Sequence, residues 1–227
     1  MAGFERQAVK IKDLPKGAVP LAGWKIGASD PATQNRFGLN TCLLGHLPGN
    51  TEFDNTNPIS LEGTTCPAIE PELWIEVGVD INRESSREEI IQAVTKVGIA
   101  AELVDFRGRF DDLPYVLSTN IFHPSYVRSA SFIPLDENLT TRITMTATRG
   151  DGRTWTCPIN LLLPDLAAVV SFVAQNLHLL GGVHIAAGQH ILSGVVIPAP
   201  VWVQPGSTVT ISADEIGSLS LSFAEKG

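Results

Sequence analysis

Cysteine is scarce in this chain, and an excess of positive charge is missing altogether. Among 227 residues, only Cys42, Cys66 and Cys157 carry thiols. An odd number, widely spaced and with no CxxC pair, argues against a disulfide framework or a zinc site. It favours buried thiols in a reducing cytoplasm. Lysine and arginine number 16 against 24 acidic residues, a formal net charge of −8. Neither a nucleic-acid backbone nor an anionic membrane is expected as a partner of such a surface. Long apolar runs are absent too. The richest stretch, 161–180, is interrupted by Pro164, Asp165, Gln175, Asn176 and His178, so no membrane span is expected. The start, Met1 to Pro20, is polar and mixed in charge with no apolar h-region, so no signal peptide is expected.

What is present is enough apolar residue, 44% of the chain, for one substantial core. The expected organisation is a short N-terminal extension, 1–20, and a single domain, 21–227. Gly23 to Gly27 reads as a short strand and Pro31 to Phe37 as one or two helical turns. Gly45 to Gly63, rich in Gly, Pro, Asn and Thr, reads as a long loop of the kind that covers sites. Pro67 to Ile81 reads as a strand. Ser86 and Glu89 form a capping-box signature, and Ile90, Ile91, Val94 and Val97 continue a helix that Gly98 ends. Ile99 to Phe106 reads as a buried strand, and 107–126 as irregular. Strands are expected at 129–133, 140–149 and 153–159, the last two joined by the turn Gly150-Asp151-Gly152. A second helix is expected from Pro164 to Gly181, then strands at 190–196, 201–203, 208–213 and 218–224. Many strands with two good helices predict an α+β fold with the helices outside a mixed or antiparallel sheet.

The chemistry-bearing pattern is acidic. Glu70-Pro71-Glu72 lies on the predicted strand, where residues two apart share a face, and Glu102 follows on the next predicted strand. Carboxylates of one sign are costly to gather unless a cation sits among them, and a hard ion such as Mg²⁺ or Mn²⁺ prefers oxygen ligands. The plain alternative is a solvated face of an edge strand. Glu76 extends the acidic face at the surface or behind the ligands, and Asp105 is open between touching metal-bound water and bonding the turn that follows it. His46, His178, His184 and His190 show no ligand spacing. Ser193 lacks the flanks of a nucleophile elbow.

Four stretches, in this order, resemble the hydratase and decarboxylase branch of the fumarylacetoacetate hydrolase superfamily, the group of 2-keto-4-pentenoate hydratase. They are Gly23-Trp24-Lys25-Ile26-Gly27, Ile69-Glu70-Pro71-Glu72-Leu73, Ala101-Glu102-Leu103-Val104-Asp105, and Ile191-Leu192-Ser193-Gly194 onward through Pro205-Gly206 to Ile216-Gly217-Ser218-Leu219. The resemblance implies a mixed β-roll with a barrel-like core and a few outer helices. It implies Mg²⁺ or Mn²⁺ on Glu70, Glu72 and Glu102, a site role for Lys25, and assembly as a homo-oligomer. Two departures stand out: only about twenty residues precede the lysine motif, and Thr119-Asn120 stands where the family often has Asp-Asn.

The reaction implied is that of a lyase on a small 2-oxo acid. It would hydrate a conjugated 2-keto-enoate or decarboxylate a vinylogous keto acid through a metal-stabilised enolate. Lys25, Asn120 and His123 are the catalytic candidates, and Lys25 and Ser193 the substrate-binding ones. Two alternatives stay open: an acylpyruvate-type carbon–carbon bond hydrolase with His123 as base, and a non-catalytic homologue that binds a ligand or supports an assembly.

Overall fold

The computed structural model describes residues 2–12, 21–107, 112–163 and 165–226. Helix α1 (Ala2–Lys12) precedes β1 (Leu21–Gly27). Helix α2 (Pro31–Phe37) forms as read: Asp30 caps it by accepting from the Thr33 N–H, Pro31 suits the first turn, and Gly38 closes it at φ 63°. Strand β2 (Leu43–Pro48) takes up what the sequence suggested was the start of a long loop. The misleading residue is Gly45, which marks a close approach rather than a turn. A Cβ there would lie 2.8 Å from Lys25 Cγ and 3.0 Å from Asn120 Oδ1.

Strand β3 (Pro67–Val77) is followed by α3 (Arg87–Ala93), whose capping box between Ser86 and Glu89 is complete. The helix stops five residues short of Gly98, because β4 runs over Val94–Asp105. Val94, Thr95 and Val97 are β-branched, and β3 offers them a pairing edge: Val77 faces Val94 and Ile75 faces Val97. Gly98 sits in this strand because the Trp74 indole lies over it; a Cβ would meet Trp74 Nε1 at 2.4 Å.

The stretch read as irregular holds α4 (Leu113–Ser118), capped by Asp112 with Pro114 in its first turn, and the start of β5 (Ser125–Ile133). After the single turn α5 (Leu139–Arg142), β6 (Thr144–Arg149) and β7 (Thr154–Pro158) form the expected hairpin. Helix α6 (Leu166–Asn176) is capped by Asp165 and tightens into a 3₁₀ turn, Leu177–Leu180. The proline expected to start it, Pro164, lies outside the described residues. Strands β8 (His190–Leu192), β9 (Val201–Trp202), β10 (Thr208–Ala213) and β11 (Gly217–Ser222) complete the chain.

The large sheet runs β2-β1-β8-β3-β4-β5, with β9 also paired to β3. Its β1–β8 pair is parallel and its other pairs are antiparallel. A second, antiparallel sheet, β11-β10-β6-β7, packs against β4 and β5. This is a mixed α/β fold with its helices on the outside, as expected. Strands β3 and β4 are buried on both faces, and Leu73, Ile75, Val97 and Ile99 lie at the centre of the core. No strand ladder among the described residues closes the large sheet into a barrel. Its two outer ends meet at one bridge just past β2, where the Phe53 N–H donates to Tyr126 O (2.8 Å) and the Tyr126 N–H to Thr51 O (2.9 Å).

Candidate metal centre

Antiparallel register brings the glutamates together. Glu70 on β3 lies directly opposite Glu102 on β4, and Glu72 is two residues along on the same face. One oxygen from each lies within 4.8 Å of the others. Like charges directly across a ladder repel, so this register needs compensation. The nearest cation is Lys25 on β1, buried and ion-paired with Glu102 Oε1. His123 Nδ1 lies 2.7 Å from the same oxygen. One lysine and one imidazole do not balance three carboxylates. Glu72 Oε1 and Glu102 Oε2 are buried with no hydrogen-bond partner, which costs free energy in a dry interior unless something binds them.

The proton affinities follow from this layout. Burial first, then the charge of Glu102, push Glu70 up from the usual carboxylate range to about 7, against the pull of Lys25. The same two causes push Glu72 well upward, although its Oε2 accepts from the Gly194 N–H at 2.9 Å. Burial acts upward on Glu102 too, but Lys25 and His123 outweigh it and hold that carboxyl low. Two carboxyls kept from ionising, an all-oxygen donor set and two partnerless oxygens fit a hard divalent cation.

The chain spends backbone strain to build this site. Asn120, Ile121 and Phe122 are three successive non-glycine residues at φ 57°, 57° and 59°. The turn aims Ile121 O at Lys25 Nζ (3.3 Å) and buries Asn120. Asn120 Oδ1 accepts from the His46 N–H (3.0 Å) and its Nδ2 donates to His46 O (2.7 Å), so its amide clamps β2. His123 Nε2 lies 3.1 Å from Thr51 Oγ1. The Thr51 hydroxyl also lies 2.7 Å from Pro48 O. Ser193 Oγ accepts from the Leu73 N–H (3.0 Å) and donates to Gly194 O (2.9 Å), which positions the Glu72 partner.

Other acidic and histidine candidates lie elsewhere. Asp105 accepts from the Thr65 and Cys66 N–H groups and from Arg107. His190 Nε2 lies 2.8 Å from the Tyr126 hydroxyl. Glu76 pairs with Lys96 at 2.8 Å and approaches Arg128. Thr51, Glu52, Tyr126 and Arg128 were not singled out from sequence. The alternation of Tyr126 and Arg128 along β5 was the available signal, because it puts both on the face that Glu102 occupies in β4.

Beside the glutamates lies a cavity of about 910 Å³, with Glu70 in its wall. Its sides come from α2, from Phe106 and Phe122, and from the segment 195–202. None of residues 49–66 lines it, so the loop expected to cover a site does not cover this one.

No protein-family model matches the chain. It is 26% identical over 215 residues to a 2-keto-4-pentenoate hydratase of Paraburkholderia phymatum, covering 90% of this chain and 79% of that one. It is 27% identical over 207 residues to a 4-oxalocrotonate decarboxylase of a Pseudomonas species, covering 88% and 77%. In three dimensions it matches 4-oxalocrotonate decarboxylase from Pseudomonas putida, solved with magnesium and adipate. The TM-score is 0.87 at 21% identity, over 97% of this chain and 84% of that one.

Proposed function

We infer that this chain is a member of the hydratase and decarboxylase branch of the fumarylacetoacetate hydrolase superfamily. We propose that it is a divalent-metal-dependent lyase of a small 2-oxo acid, hydrating a conjugated 2-keto-enoate or decarboxylating a vinylogous keto acid. The observation that carries this reading is the convergence of Glu70, Glu72 and Glu102 within 4.8 Å, with two of their oxygens partnerless. These three residues would hold the ion, with Mg²⁺ or Mn²⁺ the preferred choices. When bound, such an ion supplies Lewis-acid withdrawal of charge from the 2-oxo group.

The protein's own groups divide the remaining work. Lys25, held by Glu102 and Ile121 O, is the group for the substrate carboxylate or for the proton at the enol oxygen. His123, oriented between Glu102 and Thr51, is the second proton-handling group. Asn120 and Ser193 act as positioning residues, because their polar atoms are committed to the main chain. As part of the same reading, residues 21–227 form one catalytic domain after a short extension at 1–20. The single bridge at Tyr126 supports the barrel-like description of its sheet. The protein would work in the cytoplasm as a homo-oligomer; no helix among the described residues is long and apolar enough to cross a membrane.

One observation favours the acylpyruvate hydrolase as second reading: the His123–Glu102 contact is a base-and-orienter pair of the kind that activates water. The deciding experiment incubates the protein with a 2-keto-enoate, a vinylogous 2-oxo diacid and an acylpyruvate, each with Mg²⁺, Mn²⁺ or EDTA. Metal-dependent consumption of either of the first two supports the lyase. Metal-dependent cleavage of the third alone supports the hydrolase. No turnover of any, in protein that is folded and metal-loaded, would reject both.

A further inference from the structure

The cavity beside Glu70 is much larger than the head group that three glutamates and a lysine can hold. A five-carbon 2-oxo acid has about eight heavy atoms and, at roughly 30 Å³ for each water-sized atom, would fill about a quarter of its 910 Å³. The remaining walls are apolar and, on one side, aromatic. The Phe106 ring sits 5.4 Å from Phe122, edge-on, and 5.4 Å from Trp202, and all three line the cavity. Trp202 is 43% exposed and lines the cavity. The charged lining residues are Asp30, Arg36 and Glu70; Glu70 belongs to the ion, and Asp30 and Arg36 are one of each sign. A second carboxylate entering here would meet mostly apolar walls with no net positive charge, which penalise an unpaired charge.

We propose that this site selects 2-oxo acids with a planar, apolar tail, such as an aryl group, which stacks against Phe106, Phe122 and Trp202, and that it discriminates against dicarboxylic 2-oxo acids. The inference rests on the lyase reading for where the 2-oxo head group sits. It concerns binding, so it can be tested without knowing the reaction. Apolar and aromatic contact area supplies the preference, and the cost of an unpaired carboxylate against the same walls supplies the rejection.

The test is calorimetric titration of the full chain, with Mg²⁺ and with EDTA, using pyruvate, 2-oxo-4-phenylbutanoate and 2-oxoadipate. With Mg²⁺, the phenyl acid should bind at least about tenfold more tightly than pyruvate or 2-oxoadipate. Trp202→Ala should remove part of that gain and leave pyruvate unchanged. Thr33→Arg, which adds a cation to the cavity wall from α2, should strengthen 2-oxoadipate instead. If 2-oxoadipate binds as tightly as the phenyl acid while pyruvate binding still requires metal, the tail selectivity is wrong and the lyase reading stands. If none of the three acids binds in a metal-dependent way, the head-group site is wrong and the selectivity falls with it.

Discussion

One face of the large sheet carries two carboxylate clusters that the protein treats in opposite ways. At one end, Glu70, Glu72 and Glu102 face Lys25 and His123, and two carboxylate oxygens are left without partners. At the other, Glu52 and Glu76 meet Arg128 and Lys96. Arg128 Nε and Nη2 lie 2.7 and 3.1 Å from the two oxygens of Glu52, Lys96 pairs with Glu76, and the Arg128 guanidinium rests 5.0 Å from the centre of the Trp74 ring. The second cluster is balanced two against two by side chains the chain itself supplies. The first is short of positive charge by construction. A structural ion network satisfies itself, whereas a binding site keeps its deficit for a ligand.

The sharpest way to break the contrast is Glu72→Ala. It should abolish metal-dependent turnover and metal-induced stabilisation, beyond the roughly 10–100-fold that loss of a supporting residue costs. The metal-free protein should stay folded, since the change relieves repulsion. Activity assays and thermal unfolding with Mg²⁺ and with EDTA check both halves; wild-type activity would sink the ligand assignment. Lys25→Met comes next, with turnover falling by about 10²-fold or more and metal affinity changing less. A titration that shows affinity falling while turnover holds would make Lys25 structural.

At the balanced end, Arg128→Met should cost about 1–3 kcal/mol of stability, because Glu52 loses a bidentate partner that is only partly exposed. That loss should be the same with and without metal. A loss that vanished on adding Mg²⁺ would mean that the two clusters are one.

A further effect is a pH dependence confined to the acidic end. Glu70 ionises near 7 in the folded chain instead of near 4.5. Between those values the folded protein holds a proton that the unfolded chain has released. Metal-free stability therefore falls as pH rises through this window. A cation must displace that proton, so its affinity should rise by up to about tenfold per pH unit toward 7 and level off above it. Glu72, pushed upward as well, should make the rise steeper. Metal titrations at stepped pH would show this; a flat profile would mean that Glu70 is already ionised in the free protein.

Much of the architecture was readable locally. The capping box of Ser86 and Glu89 and the hairpin turn at Gly150 to Gly152 each depend on neighbours in sequence, and each formed where its residues indicated. The errors came where distant strands decided. Ile90, Ile91, Val94 and Val97 suit a helix, but from Val94 onward the edge of β3 claims the chain. Gly45 and Gly98 resemble a loop residue and a helix stop. Each is instead a place where a side chain from another strand needs the space of a missing Cβ.

The site divides along the same line. By itself the sequence determined the donor chemistry: three carboxylates, two of them on one strand face, and a lysine in a glycine-flanked strand. Alternation along a strand is a local rule, so Glu70 and Glu72 could be paired from spacing alone. Only the tertiary structure decided that Glu102 stands opposite Glu70, that Lys25 and His123 share one Glu102 oxygen, and that Asn120 and Ser193 spend their polar atoms on the main chain. Register between strands, and the left-handed turn at 120–122, arise from contacts between residues tens of positions apart, and no local pattern encodes them.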